Sequence, residues 1–73
     1  MAAIEVRSEV AGNVWLVEAS PDTNLEEDDV IVVLESMKME IPVTAPSKGK
    51  LTQILVSKDD MIAEDQVIAL MEI

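Results

Sequence analysis

The 73-residue chain is read as a single domain over residues 1–73, and its length and 49% hydrophobic content allow only about three fifths of the unfolded surface to be buried, which leaves little room for a deep active site. Cysteine, histidine, tyrosine and phenylalanine are all absent, so disulfides, thiolate or imidazole metal sites and most general bases and nucleophiles are excluded. Fifteen acidic residues against five basic ones give a net charge of -10, which repels phosphate backbones and anionic membrane surfaces. Neither nucleic acid nor a membrane is an expected partner. No apolar run reaches the roughly 18 residues of a membrane span, and a cytoplasmic, monomeric protein is expected.

In chain order, Ile4 to Val10 alternates as a half-buried strand does, and Val14 to Val17 is a short apolar strand. Trp15, flanked by Val14, Leu16 and Val17, reads as a core or core-edge residue. Pro21 argues against helix, and Glu26 to Asp29 reads as a turn. Val30 to Leu34 is a continuous apolar run suited to burial on both faces. Ile41 to Ala45 alternates again around Pro42; Pro46 and Gly49 then bracket a turn. Leu51 to Val56 and Val67 to Met71 complete the strands, and no segment reads as a helix.

Shifting the sequence by 37 positions aligns Met1 to Ser36 with Lys38 to Ile73 without a gap, and ten of the 36 pairs are identical, against about three expected by chance. The identities are Ile4 with Ile41, Val6 with Val43, Gly12 with Gly49, Ser20 with Ser57, Asp22 with Asp59, Glu27 with Glu64, Asp28 with Asp65, Val30 with Val67, Ile31 with Ile68 and Glu35 with Glu72. Neither copy can bury its apolar face alone, so the two are expected to pack with two-fold pseudosymmetry. The predicted fold is all-β, a flattened β-barrel (barrel-sandwich hybrid) of two four-stranded halves. Met37, the junction, then occupies the position equivalent to the termini, with hairpin tip and termini at opposite ends.

Glu35-Ser36-Met37-Lys38-Met39-Glu40 joins the halves. A tight hairpin is expected there, with Lys38 in solvent. Catalytic lysines are desolvated or placed beside another cation, and nothing in this segment does either. Acylation of Lys38 therefore requires a partner enzyme that brings an activated acyl donor. Met37 and Met39 are flexible apolar side chains able to form a recognition surface around the lysine, although two methionines can also simply cover the end of a core. Glu35 and Glu40 flank the hairpin with carboxylates.

These residues, with Ala45-Pro46, the later Gly49 and the opening Ala11-Gly12-Asn13-Val14, resemble the biotinyl domain of biotin-dependent carboxylases, and closely the free-standing biotin/lipoyl attachment proteins. The resemblance covers essentially the whole chain. It implies that Lys38 carries covalent biotin, attached by a biotin protein ligase that recognises Met37 and Met39. It further implies that biotin moves a carboxyl group between biotin carboxylase and carboxyltransferase components, with no catalysis by the domain itself. Met1 points to a free-standing unit.

Where the family commonly places turn glycines, this chain has Asp22, Asp28, Asp59 and Asp65; aspartate tolerates the left-handed conformation at a cost of order 1 kcal/mol, so slightly strained turns are expected. The alternation of Asp22, Asn24, Glu26 and Asp28 suggests a calcium loop but lacks its glycine and terminal glutamate, and no metal is assigned. Lys48, Lys50 and Lys58 read as solvated surface residues, with Lys48 or Lys50 available to help a partner dock. Two alternatives stand beside the biotin carrier. A lipoyl carrier would use the same lysine, although lipoyl domains typically show Asp-Lys-Ala where this chain has Met-Lys-Met. An unmodified adaptor would bind proteins through its sheet faces.

Overall fold

In a computed structural model describing residues 2–73, short apolar runs separated by turn residues form eight antiparallel strands, with no helix among the described residues. They are β1 (Ala3–Arg7), β2 (Gly12–Val17), β3 (Asn24–Leu25), β4 (Val30–Ser36), β5 (Met39–Thr44), β6 (Gly49–Ile54), β7 (Met61–Ile62) and β8 (Val67–Glu72). One sheet has the order β1-β8-β6-β3 and the other β5-β4-β2-β7. A shift of 37 residues carries each strand of one sheet onto its counterpart in the other, so the predicted two-fold pseudosymmetry holds. Each sheet, however, draws two strands from each half of the sequence. The halves interlock: β2 with β4 and β6 with β8 pair within a half, and the other four ladders join one half to the other. Met1 lies outside the described residues, and with it the reading of where the unit begins.

The core follows the same symmetry. Val6 and Val43, Val14 and Leu51, Leu25 and Ile62, Ile31 and Ile68, Val32 and Ala69, and Leu34 and Met71 are repeat mates, and all twelve are buried. Burial of each large aliphatic side chain contributes about 1.5–3 kcal/mol. Ser8 is the one buried polar residue among those described, 1% exposed, and its mate Ala45 is fully buried. Its hydroxyl donates to the Val10 carbonyl and accepts from the Val10 N–H, which satisfies it locally.

All four turn aspartates adopt the left-handed conformation that the resemblance implies for these positions, with φ of 68° at Asp22, 73° at Asp28, 74° at Asp59 and 68° at Asp65. What holds them there is the other repeat. The Asp28 N–H donates to Ala45 O at 2.9 Å and the Asp65 N–H to Ser8 O at 2.8 Å, while Asp22 donates to Leu51 O and Asp59 to Val14 O. The turns are also tied locally, by the Glu26 N–H to the Asp29 carboxylate at 2.9 Å and the Ser57 N–H to the Asp60 carboxylate at 2.8 Å.

Several sequence expectations need correction. The first strand ends at Arg7 rather than Val10, because Ser8 turns away to hydrogen-bond Gln66 and Asp65. The strand expected at Leu51 to Val56 is shifted to Gly49–Ile54. Trp15 is not core: it is 41% exposed, and it is the extra residue of a β-bulge, where the β2–β4 register skips from Val14 to Leu16. Next to buried Val14, alternation already turns Trp15 outward, and the bulge turns Leu16 outward beside it.

Candidate functional site: the lysine hairpin

Strand β4 anchors the hairpin. Ile31, Val32 and Leu34 are fully buried, so the run entering the turn is fixed on the core. The register Leu34↔Ile41, Glu35↔Glu40 and Ser36↔Met39 leaves a loop of two residues, Met37 and Lys38. Their φ values are 53° and 64°. Two consecutive left-handed residues define a type I′ turn, whose twist matches that of the flanking strands and whose usual residues are Asn and Gly. For two bulky side chains the conformation costs about 1–2 kcal/mol per residue, and strain of this kind collects at functional sites. The expected tight hairpin is present.

Lys38 is exposed and forms no ion pair among the described residues. Met37 and Met39 are 92% and 64% exposed, so they cover no core and stand beside the lysine in solvent. Glu35 and Glu40 are both exposed and sit directly opposite each other across the ladder. Like charges in that arrangement destabilise a sheet. The strained turn and the repelling carboxylate pair both lower stability at one end of one sheet.

The opposite end of the repeat shows what the same geometry is without the turn. Ser36 and Met39 correspond to Ile73 and Ala2, and those two residues exchange backbone hydrogen bonds of 3.0 and 2.9 Å. Ala2 and Ile73 thus lie at the position equivalent to the base of the lysine hairpin.

Gly12 is a residue whose role the strand pattern alone does not give. A Cβ there would lie 2.6 Å from the Glu35 carbonyl oxygen and 3.3 Å from the Ser36 Cβ, and a Cβ on Gly49 would clash with the Glu72 carbonyl. Glycine lets β2 pack against the base of the hairpin. The signal that finds it is the alignment of the chain's two glycines at the repeat spacing.

The other lysines stand apart from the hairpin. Lys48 and Lys50 line a shallow depression with Asn24, Leu25 and Glu26, Lys50 lies 3.9 Å from the Asp22 carboxylate, and Lys58 is exposed. Asp22, Asn24, Glu26 and Asp28 are spread over two turns and β3 rather than gathered around one centre. No three metal-ligating side chains converge among the described residues, and no helix there is long and apolar enough to cross a membrane.

Eight short strands holding one uncovered lysine on a two-residue turn define a lysine-presenting β domain. Residues 5–71 match the Biotin_lipoyl family, described as "Biotin-requiring enzyme". The biotinylated protein TB7.3 homolog of Mycobacterium leprae is 42% identical over 92% of this chain and 94% of that protein. The biotin/lipoyl attachment protein of Bacillus subtilis is 33% identical over 86% of each chain. Among solved structures, the urea carboxylase of Kluyveromyces lactis superposes with a TM-score of 0.93 at 29% identity, covering 99% of this chain but 6% of the carboxylase. The chain belongs to the biotin/lipoyl attachment family, and its fold is that of a carboxylase biotinyl domain.

Proposed function

We propose that the protein is a biotin carboxyl carrier in which a biotin protein ligase modifies Lys38. The observation that carries this is the hairpin itself: one lysine, free of ion pairs among the described residues, at the apex of a strained turn between two exposed methionines. The residues fit the group. An amide on Nζ needs access from solvent and no neighbour that buries or pairs the amine, and Lys38 meets both requirements.

In the attachment step the deprotonated Nζ attacks the carboxyl carbon of biotinyl-adenylate. The amide bond forms, AMP leaves and one proton is released. The ligase supplies the adenylate and removes the proton, since the amine has no ion-pair partner among the described residues to take it up. The product has lost one positive charge, taking the chain from its net -10 to -11. When bound, biotin supplies a ureido nitrogen that accepts a carboxyl group at one active site and yields it at another. The chain's own contribution is to hold the attachment point clear of the body. The tether gives the group a high effective concentration at two sites in turn, and biotin carboxylase and carboxyltransferase components are the partners. The domain catalyses neither step, and the cytoplasm is its expected location.

Lipoate on the same lysine is the second reading, favoured by the dual specificity in the family name; Met37 and Met39 favour biotin. The carrier reading is tested by incubating biotinylated protein with a biotin carboxylase component, ATP and radiolabelled bicarbonate. Label should appear on the wild type and pass to an acyl acceptor when carboxyltransferase is added, and a Lys38→Arg variant should acquire none. Label on Lys38→Arg, or turnover of an acyl-CoA by the protein alone, overturns the reading.

A further inference from the structure

The repeat gives this molecule an internal control. Every position on one sheet has a mate at the same place on the other, so side chains that the fold requires agree between mates, and those serving one sheet alone do not. The twelve apolar core positions agree in character between mates. One outward row does not.

On the sheet that carries the lysine hairpin, Leu16, Val33 and Pro42 lie side by side across β2, β4 and β5. The bulge residue Trp15 sits next to them. Trp15 and Leu16 are 41% and 36% exposed, Pro42 is exposed and Val33 half-buried. Their mates on the other sheet are Thr52, Gln53, Leu70 and Glu5, and Thr52 hydroxyl donates to the Leu70 carbonyl at 3.0 Å. The same architecture therefore forms with a mostly polar row. The apolar row is not needed for folding.

Charge divides the sheets as well. Strands β2, β4, β5 and β7 contain Glu35 and Glu40 and no lysine or arginine, whereas the other sheet balances Glu5 and Glu72 with Arg7 and Lys50, and Arg7 pairs with Glu5 at 2.7 Å. The lysine-bearing sheet thus shows an apolar centre bordered, on the side of the hairpin, by carboxylates that form no ion pair among the described residues. A second copy of this chain would bring the same carboxylates and the same net charge of -10 against them. The complementary occupant is a protein whose apolar contact is rimmed by Lys and Arg.

We infer that Trp15, Leu16, Val33 and Pro42 form the surface on which the biotin protein ligase docks to modify Lys38. Position selects the ligase. Only the Glu35/Glu40 row separates the apolar row from the turn, and an enzyme that acts on Nζ itself must lie on the tip and the sheet face adjoining it. Enzymes acting at the far end of the finished arm stand an arm's length away. An exposed tryptophan in such a patch is the type of side chain that dominates binding energy in interfaces. This inference rests on the carrier reading above.

The test is steady-state biotinylation with purified ligase, ATP and biotin, varying the concentration of the unmodified protein. A triple variant, Trp15→Thr with Leu16→Gln and Pro42→Glu, gives the row the residues of its mates and so keeps to side chains the fold already accepts. Loss of docking removes binding common to ground and transition state, so KM should rise about tenfold or more while kcat stays within about twofold. The KM of the wild type should also rise with salt. Gln53→Ala, on the opposite sheet, should change neither constant. Should the triple variant fail the far-UV circular dichroism check, Trp15→Thr alone, at an exposed bulge, carries the same test. A wild type modified at Lys38 and a folded variant with unchanged KM overturn the docking inference and leave the carrier reading intact. A wild type that the ligase does not modify overturns the carrier reading itself. A variant modified normally but unable to accept label from the biotin carboxylase component, or a wild-type dimer that the variant dissociates, assigns the face to another occupant and equally overturns the inference.

Discussion

Replacing Asp28 and Asp59 by glycine should stabilise the protein. Both residues are held at positive φ, 73° and 74°, by backbone hydrogen bonds to the opposite repeat. Neither side chain has a hydrogen-bond or ion-pair partner among the described residues, whereas Asp22 and Asp65 lie 3.9 and 3.8 Å from Lys50 and Arg7. Glycine removes a left-handed cost of about 1 kcal/mol for aspartate and returns about 0.5 kcal/mol through the greater freedom of the unfolded chain, a net gain of about 0.5 kcal/mol per site. The two sites share no partner, so the double variant should gain about 1 kcal/mol. For a domain of this size that is a rise in Tm of roughly 4–8 °C, measured by circular dichroism melting. Asp28→Ala, which keeps the strain and loses the local polar tolerance, should lower Tm. A double glycine variant that melts at or below the wild-type temperature refutes the argument that these turns are strained.

Three further outcomes follow from the packing. Gly12→Ala should cost about 1–3 kcal/mol, because its Cβ would lie 2.6 Å from the Glu35 carbonyl; a Tm equal to wild type in thermal denaturation would show that β2 does not press on the hairpin base as described. Ile31→Val and Ile68→Val, at two fully buried mates, should each cost about 1 kcal/mol and match each other in urea midpoint; a large difference would contradict an evenly packed two-fold core. Ser8→Ala should destabilise by about 1 kcal/mol, since it leaves the Val10 N–H without its 3.2 Å partner, and urea unfolding with no change would show that bond to be dispensable.

Much of this fold was legible because the sequence repeats. Six strands follow from apolar runs, and the turn positions of the four aspartates recur 37 residues apart, while their positive φ was expected from the resemblance to a family with glycines there. What stayed hidden has physical causes. Strands β3 and β7 contain two residues each, too short to leave any periodicity. The interlocking of the halves depends on pairings such as β1 with β8, contacts at nearly the full length of the chain that no local pattern encodes. Trp15 was misplaced because the continuous apolar run Val14 to Val17 does not show which face each residue takes; beside buried Val14 it points outward, and the bulge turns Leu16 out with it. At the site, the segment Glu35 to Glu40 stood out in the sequence by its place between the repeats and its resemblance to the biotinyl motif, but the direct opposition of Glu35 and Glu40 and the close approach at Gly12 depend on register, which the sequence leaves open until the turn length is known.

The most direct test of the central claim is the intact mass of the wild-type protein and of Lys38→Arg after incubation with biotin protein ligase, ATP and biotin, and in parallel with a lipoate ligase and lipoate. The account predicts the gain of one biotinyl group by the wild type, none by Lys38→Arg, and no lipoyl gain. A wild type that gains nothing, a biotinyl group retained by Lys38→Arg, or a gain of lipoate alone would contradict it.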